Sequence, residues 1–266
     1  MRLLFIGCGN MGAAIAAGAL RKRPATKITV VDRNPERARG LLPASGAEFY
    51  GALQDVTDET FDATILAIKP QQFHALPGSS LPKNCGTLIS IMAGVTLDRM
   101  QVKLGTDRAV RTMPNLPALV ARGMTVGVSG KAVSEADKAL VSDIFEGSGR
   151  FEWLESEDQI DSVTAVAGSG PGYIFAFAHY MTEAARAEGL PGDLADTLVR
   201  QTLLGAAELL HSDARSALEL KRAVTSKAGT TEAGLAVFEA EVGLSALCRR
   251  GVAAARARAE ELARED

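Results

Sequence analysis

Gly7-Cys8-Gly9-Asn10-Met11-Gly12 has the spacing G-x-G-x-x-G and follows the apolar run Leu3 to Ile6. A short buried strand, a glycine turn and the start of a helix form the arrangement that cradles a dinucleotide. Each glycine has its own task. Gly7 makes the tight turn, Gly9 lets backbone approach a pyrophosphate, and Gly12 lets the helix pack closely on the sheet. The helix N-terminus then offers amide donors and partial positive charge to the phosphates. Asp32 ends the next β-branched run, 25 positions after Gly7. An acid there accepts hydrogen bonds from a ribose 2′-hydroxyl and favours NAD, whereas Arg33 and Arg37, with Asn34 as a polar contact, suit a 2′-phosphate. The sequence leaves NADP(H) and NAD(H) both open.

A second segment, Ser226-Lys227-Ala228-Gly229-Thr230-Thr231, lies just before a helical pattern. Small residues ahead of a helix leave several N–H groups for a small carboxylate, and two adjacent threonines add hydroxyls that donate and accept. The same string is also an ordinary N-cap, and residue types alone do not separate the two readings. Gly168-Ser169-Gly170-Pro171-Gly172 is similarly double: close backbone passage beside a ligand, or a tight helix crossing. Other chemistries lack residues. His74, His179 and His211 stand apart, no G-x-S-x-G occurs, no metal-ligand spacing is present, and Glu155, Glu157, Asp158 and Asp161 read as a solvated helix start. Hydride transfer needs no strong acid or nucleophile, because a cofactor supplies the difficult chemistry.

The elements that must position these groups follow from pattern. Strands are expected at 3–6, 28–31, 63–68, 87–91, 109–112, 124–128 and 151–154, with helices at 10–23, from Asn34-Pro35-Glu36 onward, and at about 134–145. Strands alternating with helices imply a doubly wound, mainly parallel sheet. After Glu155 the strand signal stops, and helical patterns run at 158–188 (broken at 168–172), 193–210, 214–224, 232–239 and 244–264. Eight of the ten prolines precede residue 120, in keeping with a mixed front and a helical back. The seam is placed near 155, giving a cofactor-binding unit 1–155 and a helical unit 156–266. For 266 residues that is about two domains at ~150 residues each.

Bulk properties bound the class. The chain is 47% hydrophobic and 23% charged, an ordinary globular balance, and its net charge of −3 argues against a nucleic-acid partner or a membrane-surface patch. No stretch reaches the ~18 apolar residues of a membrane helix. Three widely spaced cysteines without CxxC point to a reducing, cytoplasmic compartment and to no zinc site.

Together, the glycine fingerprint, Lys69-Pro70, the Arg111 to Pro117 segment, GSGPGYIFAF at 168–177 and Thr225-Ser226-Lys227-Ala228-Gly229-Thr230-Thr231-Glu232-Ala233-Gly234-Leu235 make the chain resemble the pyrroline-5-carboxylate reductase family, in order and over nearly its whole length. The resemblance implies an N-terminal Rossmann domain and an all-α dimerisation domain. It implies an interlocked homodimer that builds larger rings, and reduction of 1-pyrroline-5-carboxylate to L-proline by NADPH or NADH. Carried over by position, Ile6, Gly7, Cys8, Gly9, Asn10, Met11, Asn34, Ile68, Lys69, Pro70 and Ala93 correspond to cofactor contacts. Thr230 and Thr231 correspond to substrate contacts, backbone amides of this loop, with Ser226 and Gly229 in it, holding the carboxylate and the Thr231 hydroxyl meeting the ring nitrogen. Lys227 and Ala228 stand where Pro-Gly is usual, Ala228 reading as tolerable, and Leu116 stands where threonine is usual. Two other readings bear weighing. A β-hydroxyacid dehydrogenase-like enzyme shares the fingerprint but needs a mid-chain lysine, and none lies between Lys138 and Lys221. A non-catalytic dinucleotide sensor is the alternative from another class.

Overall fold

The computed structural model describes residues 1–42, 46–76 and 81–264. Its chain divides into two compact units, one of residues 1–169 with 255–266, the other of residues 170–254.

The first unit is built on an eight-stranded sheet. In chain order it contains β1 (Arg2–Ile6), α1 (Asn10–Lys22), β2 (Lys27–Val31), α2 (Pro35–Leu41), β3 (Ala47–Tyr50) and β4 (Ala63–Leu66). There follow α3 (Pro70–Ala75), β5 (Thr87–Ser90), α4 (Leu97–Leu104), β6 (Ala109–Met113), β7 (Gly123–Ser129), α5 (Glu135–Glu146), β8 (Gly149–Trp153) and α6 (Gln159–Val163). The strand order is β3-β2-β1-β4-β5-β6-β7-β8. All neighbours pair in parallel except β6 and β7, so the last two strands run opposite to the other six. The strand order reverses between β1 and β4, which leaves a crevice at the carboxyl ends of β1, β2 and β4.

Continuous apolar runs become strands here because both sheet faces are covered. Leu3 and Phe5 of β1 point into a core with Ile15, Ala16 and Ala19 of α1 and Val141, Ile144 and Phe145 of α5. Leu4 and Ile6 point to the other face, among Phe73 of α3, Met100 of α4, and Leu53 and Val56 of a 3₁₀ turn. On the first face α1 and the end of α5 meet backbone to backbone. A Cβ on Gly147 would lie 2.0 Å from the Gly18 carbonyl oxygen, and one on Gly18 would lie 2.7 Å from the Ser148 nitrogen.

Polar ties lock the sheet's far half. Asp137 of α5 is buried and accepts from Thr87 Oγ1 at 2.7 Å, Arg108 Nη2 at 2.6 Å, and the Ser134 amide and hydroxyl at 2.9 and 2.8 Å. The Arg108 guanidinium, ahead of the Thr87 and Ser134 donors, holds this carboxyl well below the usual range. Of the four acids read as a solvated helix start, Glu155 and Asp158 are exposed, Asp158 capping α6, but Glu157 and Asp161 are half-buried and tied to the sheet. Glu157 accepts from the buried Arg111 side chain at 2.8 Å and from the Leu97 amide at 3.0 Å. Asp161 has its carboxyl pushed up by burial, with Arg111 opposing. Strands stop at Trp153, close to the seam read at 155, but these ties and the Asn115 side chain, which donates to Ala167 O at 2.9 Å, carry the first unit on to Ser169. The last helical turns rejoin it, Leu262 O lying 3.2 Å from where a Cβ on Gly94 would be.

The second unit holds α7 (Gly170–Ala187), α8 (Gly192–Ser212), α9 (Ala217–Ala223), α10 (Thr230–Phe238) and the start of α11 (Leu244–Arg264). A π-helical turn at Thr164–Gly168 ends the preceding segment, so the expected break near 168 is real. Among the described residues of this unit only Thr182, Ala195 and Val199 are buried. Tyr173, Ile174, Phe175, Tyr180, Leu204 and Val237 are all exposed on the single chain. No described helix is long and apolar enough to cross a membrane.

Candidate active site

The crevice at the sheet's reversal point opens into a cavity of about 1170 Å³, lined by residues at or after the ends of β1 to β6. Ten residues read from the sequence as cofactor contacts line it, Arg37 being the tenth beside Ile6, Gly7, Cys8, Gly9, Met11, Asp32, Arg33, Ile68 and Lys69. Asn10 opens α1 and is exposed, Gly12 packs against Ala67 and the Gly7 carbonyl, and Pro70 begins α3. Asn34 caps α2, its side chain accepting from the Arg37 amide at 3.0 Å, and Ala93 is exposed in the loop after β5. None of these five is among the lining residues.

The glycine turn separates two kinds of constraint. Gly7 has φ +84°, and a Cβ there would lie 2.7 Å from the Ala67 carbonyl oxygen, so the fold itself requires glycine. Gly9 has φ −78° and ψ −173°, a backbone any residue adopts, and a Cβ there would meet nothing within 4 Å. Nothing in the chain requires glycine at 9. Space kept open at that point suits a group that comes from outside.

Gly9 caps α1 without a side-chain hydrogen bond, and the first turn carries no acid. The leading amides and the helix dipole are thus left for an anion. Lys69, Arg33 and Arg37 line the cavity with one carboxylate, Asp32, giving the lining a net positive charge. These residues fit a dinucleotide.

Asp32 does more than end a strand. Its Oδ2 accepts the Cys8 amide at 2.8 Å and lies 3.3 Å from Arg37 Nη2, while Oδ1 accepts the Asn34 amide at 2.9 Å. Burial, and then the Asp32 charge, push the Cys8 thiol up to about 11, so it stays neutral in the turn. Pattern reading missed Gly51 to Gln54, Gln71, Gln72 and Ile91 in the lining, while Pro114 comes from the Arg111 to Pro117 segment it did single out. The first group follows β3, a four-residue strand with no buried residue, and so lacks an apolar signal. Gln71 and Gln72 directly follow Lys69-Pro70 in the first turn of α3 and were within reach of that motif.

In the helical unit, Gly229 caps α10 with no side-chain hydrogen bond, and Thr230 and Thr231 open the helix. The ordinary side-chain N-cap is therefore absent. Ser226 O accepts the Gly229 amide at 3.0 Å, and Glu232 Oε2 accepts the Ala228 amide at 2.7 Å, so the loop is tied before its helix starts. Those two amides are spent within the turn, which leaves the first-turn amides at Thr230 and Thr231 as the ones suited to a carboxylate. Ala228 has φ +57°. An alanine in the left-handed region costs about 1–2 kcal/mol, so its fit is not strain-free as its small size suggests.

Comparison with known proteins matches both halves. The family model for pyrroline-5-carboxylate reductase dimerisation matches residues 157–262, and that for coenzyme F420-dependent NADP oxidoreductase matches residues 2–94. The pyrroline-5-carboxylate reductase of Pseudomonas aeruginosa is 36% identical over 269 residues, covering 99% of this chain and 97% of its own. Among solved structures, the enzyme from Coxiella burnetii has a TM-score of 0.89 at 33% identity, over 98% of this chain and 97% of that one. The Plasmodium falciparum pyrroline carboxylate reductase, solved with NADP bound, has a TM-score of 0.81 at 26% identity, over 99% and 98%. The chain belongs to the pyrroline-5-carboxylate reductase family.

Proposed function

We propose that this protein reduces 1-pyrroline-5-carboxylate to L-proline with NADPH or NADH, the final step of proline formation. The observation that carries it is the match to the family along 99% of the chain, glycine cavity and threonine turn included. Neither a non-catalytic sensor nor a β-hydroxyacid dehydrogenase has comparable support.

When bound, the reduced nicotinamide supplies a hydride to the imine carbon. The protein's own groups do the rest. Amides of Gly9 to Met11 at the N-terminus of α1 hold the dinucleotide phosphates, those of Gly7 and Cys8 being spent on Val31 O and Asp32 Oδ2, and Ile68, Lys69 and Pro70 border its path. The amides of Thr230 and Thr231 hold the substrate carboxylate, with Ser226 and Gly229 shaping the turn beneath it. The Thr231 hydroxyl meets the ring nitrogen. A protonated ring iminium brings its own proton, so hydride addition leaves a neutral secondary amine and needs no general acid; orientation is what the threonine contributes.

The helical unit works as part of an interlocked homodimer able to build a larger ring. Its near-absence of buried side chains and its exposed aromatic face support this, since apolar surface on that scale marks an interface. Three free cysteines support a reducing, cytoplasmic setting.

Loss of nicotinamide absorbance on adding 1-pyrroline-5-carboxylate is the direct test, and no oxidation of either cofactor would overturn the assignment. Thr231→Ala should lower kcat by about 10²-fold, the scale for losing one positioned donor, with cofactor Kd unchanged and Thr231→Ser restoring most of the rate. Equal loss of turnover and cofactor binding would contradict the role.

A further inference from the structure

We propose that Glu232 is a positioning residue for substrate binding, its carboxylate holding the turn from Ser226 to Gly229 closed ahead of α10. This deepens the reading of that turn as the carboxylate site and rests on it. The Gly229 amide donates to Ser226 O at 3.0 Å, which makes residues 226–229 a β-turn with Lys227 and Ala228 at its corners. Ala228 has φ +57° and Lys227 is not among the residues of positive φ, so the turn has the sense of type II. Such a turn closes by backbone geometry alone when proline stands at the first corner and glycine at the second. This chain has neither. Lysine leaves its own φ free, and alanine in the left-handed region is strained. The Lys227 side chain is exposed and has no hydrogen bond or ion pair among the described residues, so it does not supply the missing restraint.

Glu232 supplies it. In the usual capping box, the acid at the third helical position reaches back to the amide of the N-cap residue. Here that amide, Gly229, is already spent on the turn, and Glu232 Oε2 accepts instead from Ala228, one residue further out, at 2.7 Å. The bond fastens the strained corner to the first turn of α10. With the amides of 228 and 229 both occupied, those of Thr230 and Thr231 are left for a carboxylate and start from a fixed place. A turn free to open would bind substrate only in its closed fraction, and apparent affinity would fall by that fraction. Once substrate is seated, the closed turn is the same with or without Glu232. Loss of the restraint therefore shows in KM and leaves kcat alone.

Steady-state kinetics of the full chain with 1-pyrroline-5-carboxylate, beside amide hydrogen exchange of the free protein, tests this. Glu232→Ala should raise KM about three- to tenfold, the scale of one partly exposed charge-assisted hydrogen bond, with kcat and cofactor Kd unchanged. Its Gly229 amide should exchange faster by a similar factor. Glu232→Gln keeps an acceptor at the same reach and should raise KM by no more than about twofold. Adding Lys227→Pro and Ala228→Gly to Glu232→Ala should return KM and Gly229 exchange to near their original values. The Lys227 amide donates to nothing among the described residues, so proline removes no hydrogen bond there. An unchanged or lower KM in Glu232→Ala, an equal loss in kcat or cofactor binding, glutamine behaving as alanine, or no rescue by the proline–glycine turn overturns the proposal. If the exchange pattern holds but the original chain does not reduce 1-pyrroline-5-carboxylate, the proposed function falls and the hold of Glu232 on the turn stands. Turnover by the original chain, with KM and exchange both untouched by Glu232→Ala, does the reverse.

Discussion

Replacing Gly9 with alanine separates what the fold demands from what a bound phosphate demands. The backbone at Gly9 is open to any residue, and the added methyl meets nothing within 4 Å. Alanine narrows the unfolded ensemble, which favours folding by about 0.4–1 kcal/mol. As the N-cap of α1, alanine is poorer than glycine by up to about 1 kcal/mol. The two terms oppose, so the unfolding free energy should stay within about 0.5 kcal/mol of the original, or about 1–2 °C in Tm. Gly7→Ala is the contrast. Left-handed strain of about 1–2 kcal/mol adds to a Cβ lying 2.7 Å from the Ala67 carbonyl oxygen, and Tm should drop clearly. Binding reverses the order of interest. A methyl at Gly9 stands in the way of the phosphates, and losing one amide-to-phosphate bond, worth about 1.5–3 kcal/mol, raises Kd about 10- to 150-fold. Urea denaturation without ligand and nicotinamide fluorescence titration, both at one protein concentration, read the two quantities separately. If Gly9→Ala loses as much stability as Gly7→Ala, or binds NADPH as tightly as the original chain, the reasoning about this turn fails.

Asp137→Ala should cost about 2–4 kcal/mol, from the buried Thr87 hydroxyl left unpaired and the lost tie at the start of α5, measured as a lower urea midpoint. The folded Asp137 carboxyl lies below its unfolded value, so its stabilisation is complete above the ordinary carboxylate range and is lost as pH falls below about 4; Asp137→Asn should flatten that part of the stability profile. Ala228→Gly should raise stability by about 0.5–1 kcal/mol, left-handed strain relieved outweighing the added freedom of the unfolded chain, and an unchanged or lower Tm would contradict the conformation at 228. Cys8, with its thiol near 11 and buried, should resist thiol reagents at pH 8 in the folded chain and react on unfolding; peptide mapping that finds it labelled as fast as an unfolded thiol would refute this.

Much of this arrangement is legible in residue order because buried parallel strands are written as apolar runs. Leu3 to Ile6, Ile28 to Val31 and Ala63 to Leu66 are such runs, and the glycine turn and Asp32 follow two of them directly. The helical half was legible through composition, α11 matching its expected span of 244–264. What escaped has physical causes. β3 has no buried residue, so neither run nor alternation announces it, and the cavity residues after it went unseen with it. The reversed direction of β7 is a matter of pairing, invisible in a single strand's pattern. Glu157 looked solvated because its partner Arg111 lies 46 positions away, and Asp32 looked free because the Cys8 amide that occupies it is backbone and carries no residue-type signal.

The contact of Gly18 with Gly147 has a consequence for ligand binding at a distance. Gly18 lies in the second half of α1, about 12 Å along the axis from its first residue, and Gly147, just after α5, abuts it there. At its near end the same helix is wedged by Gly12 against Ala67 and the Gly7 carbonyl. A rod clamped at both ends cannot yield at one without turning at the other. A methyl at Gly18 or Gly147 would pry the trailing end outward, and the leading N–H vectors would swing away from the phosphates they address. Cofactor affinity would then respond to two residues that touch no ligand, by leverage through a single helix.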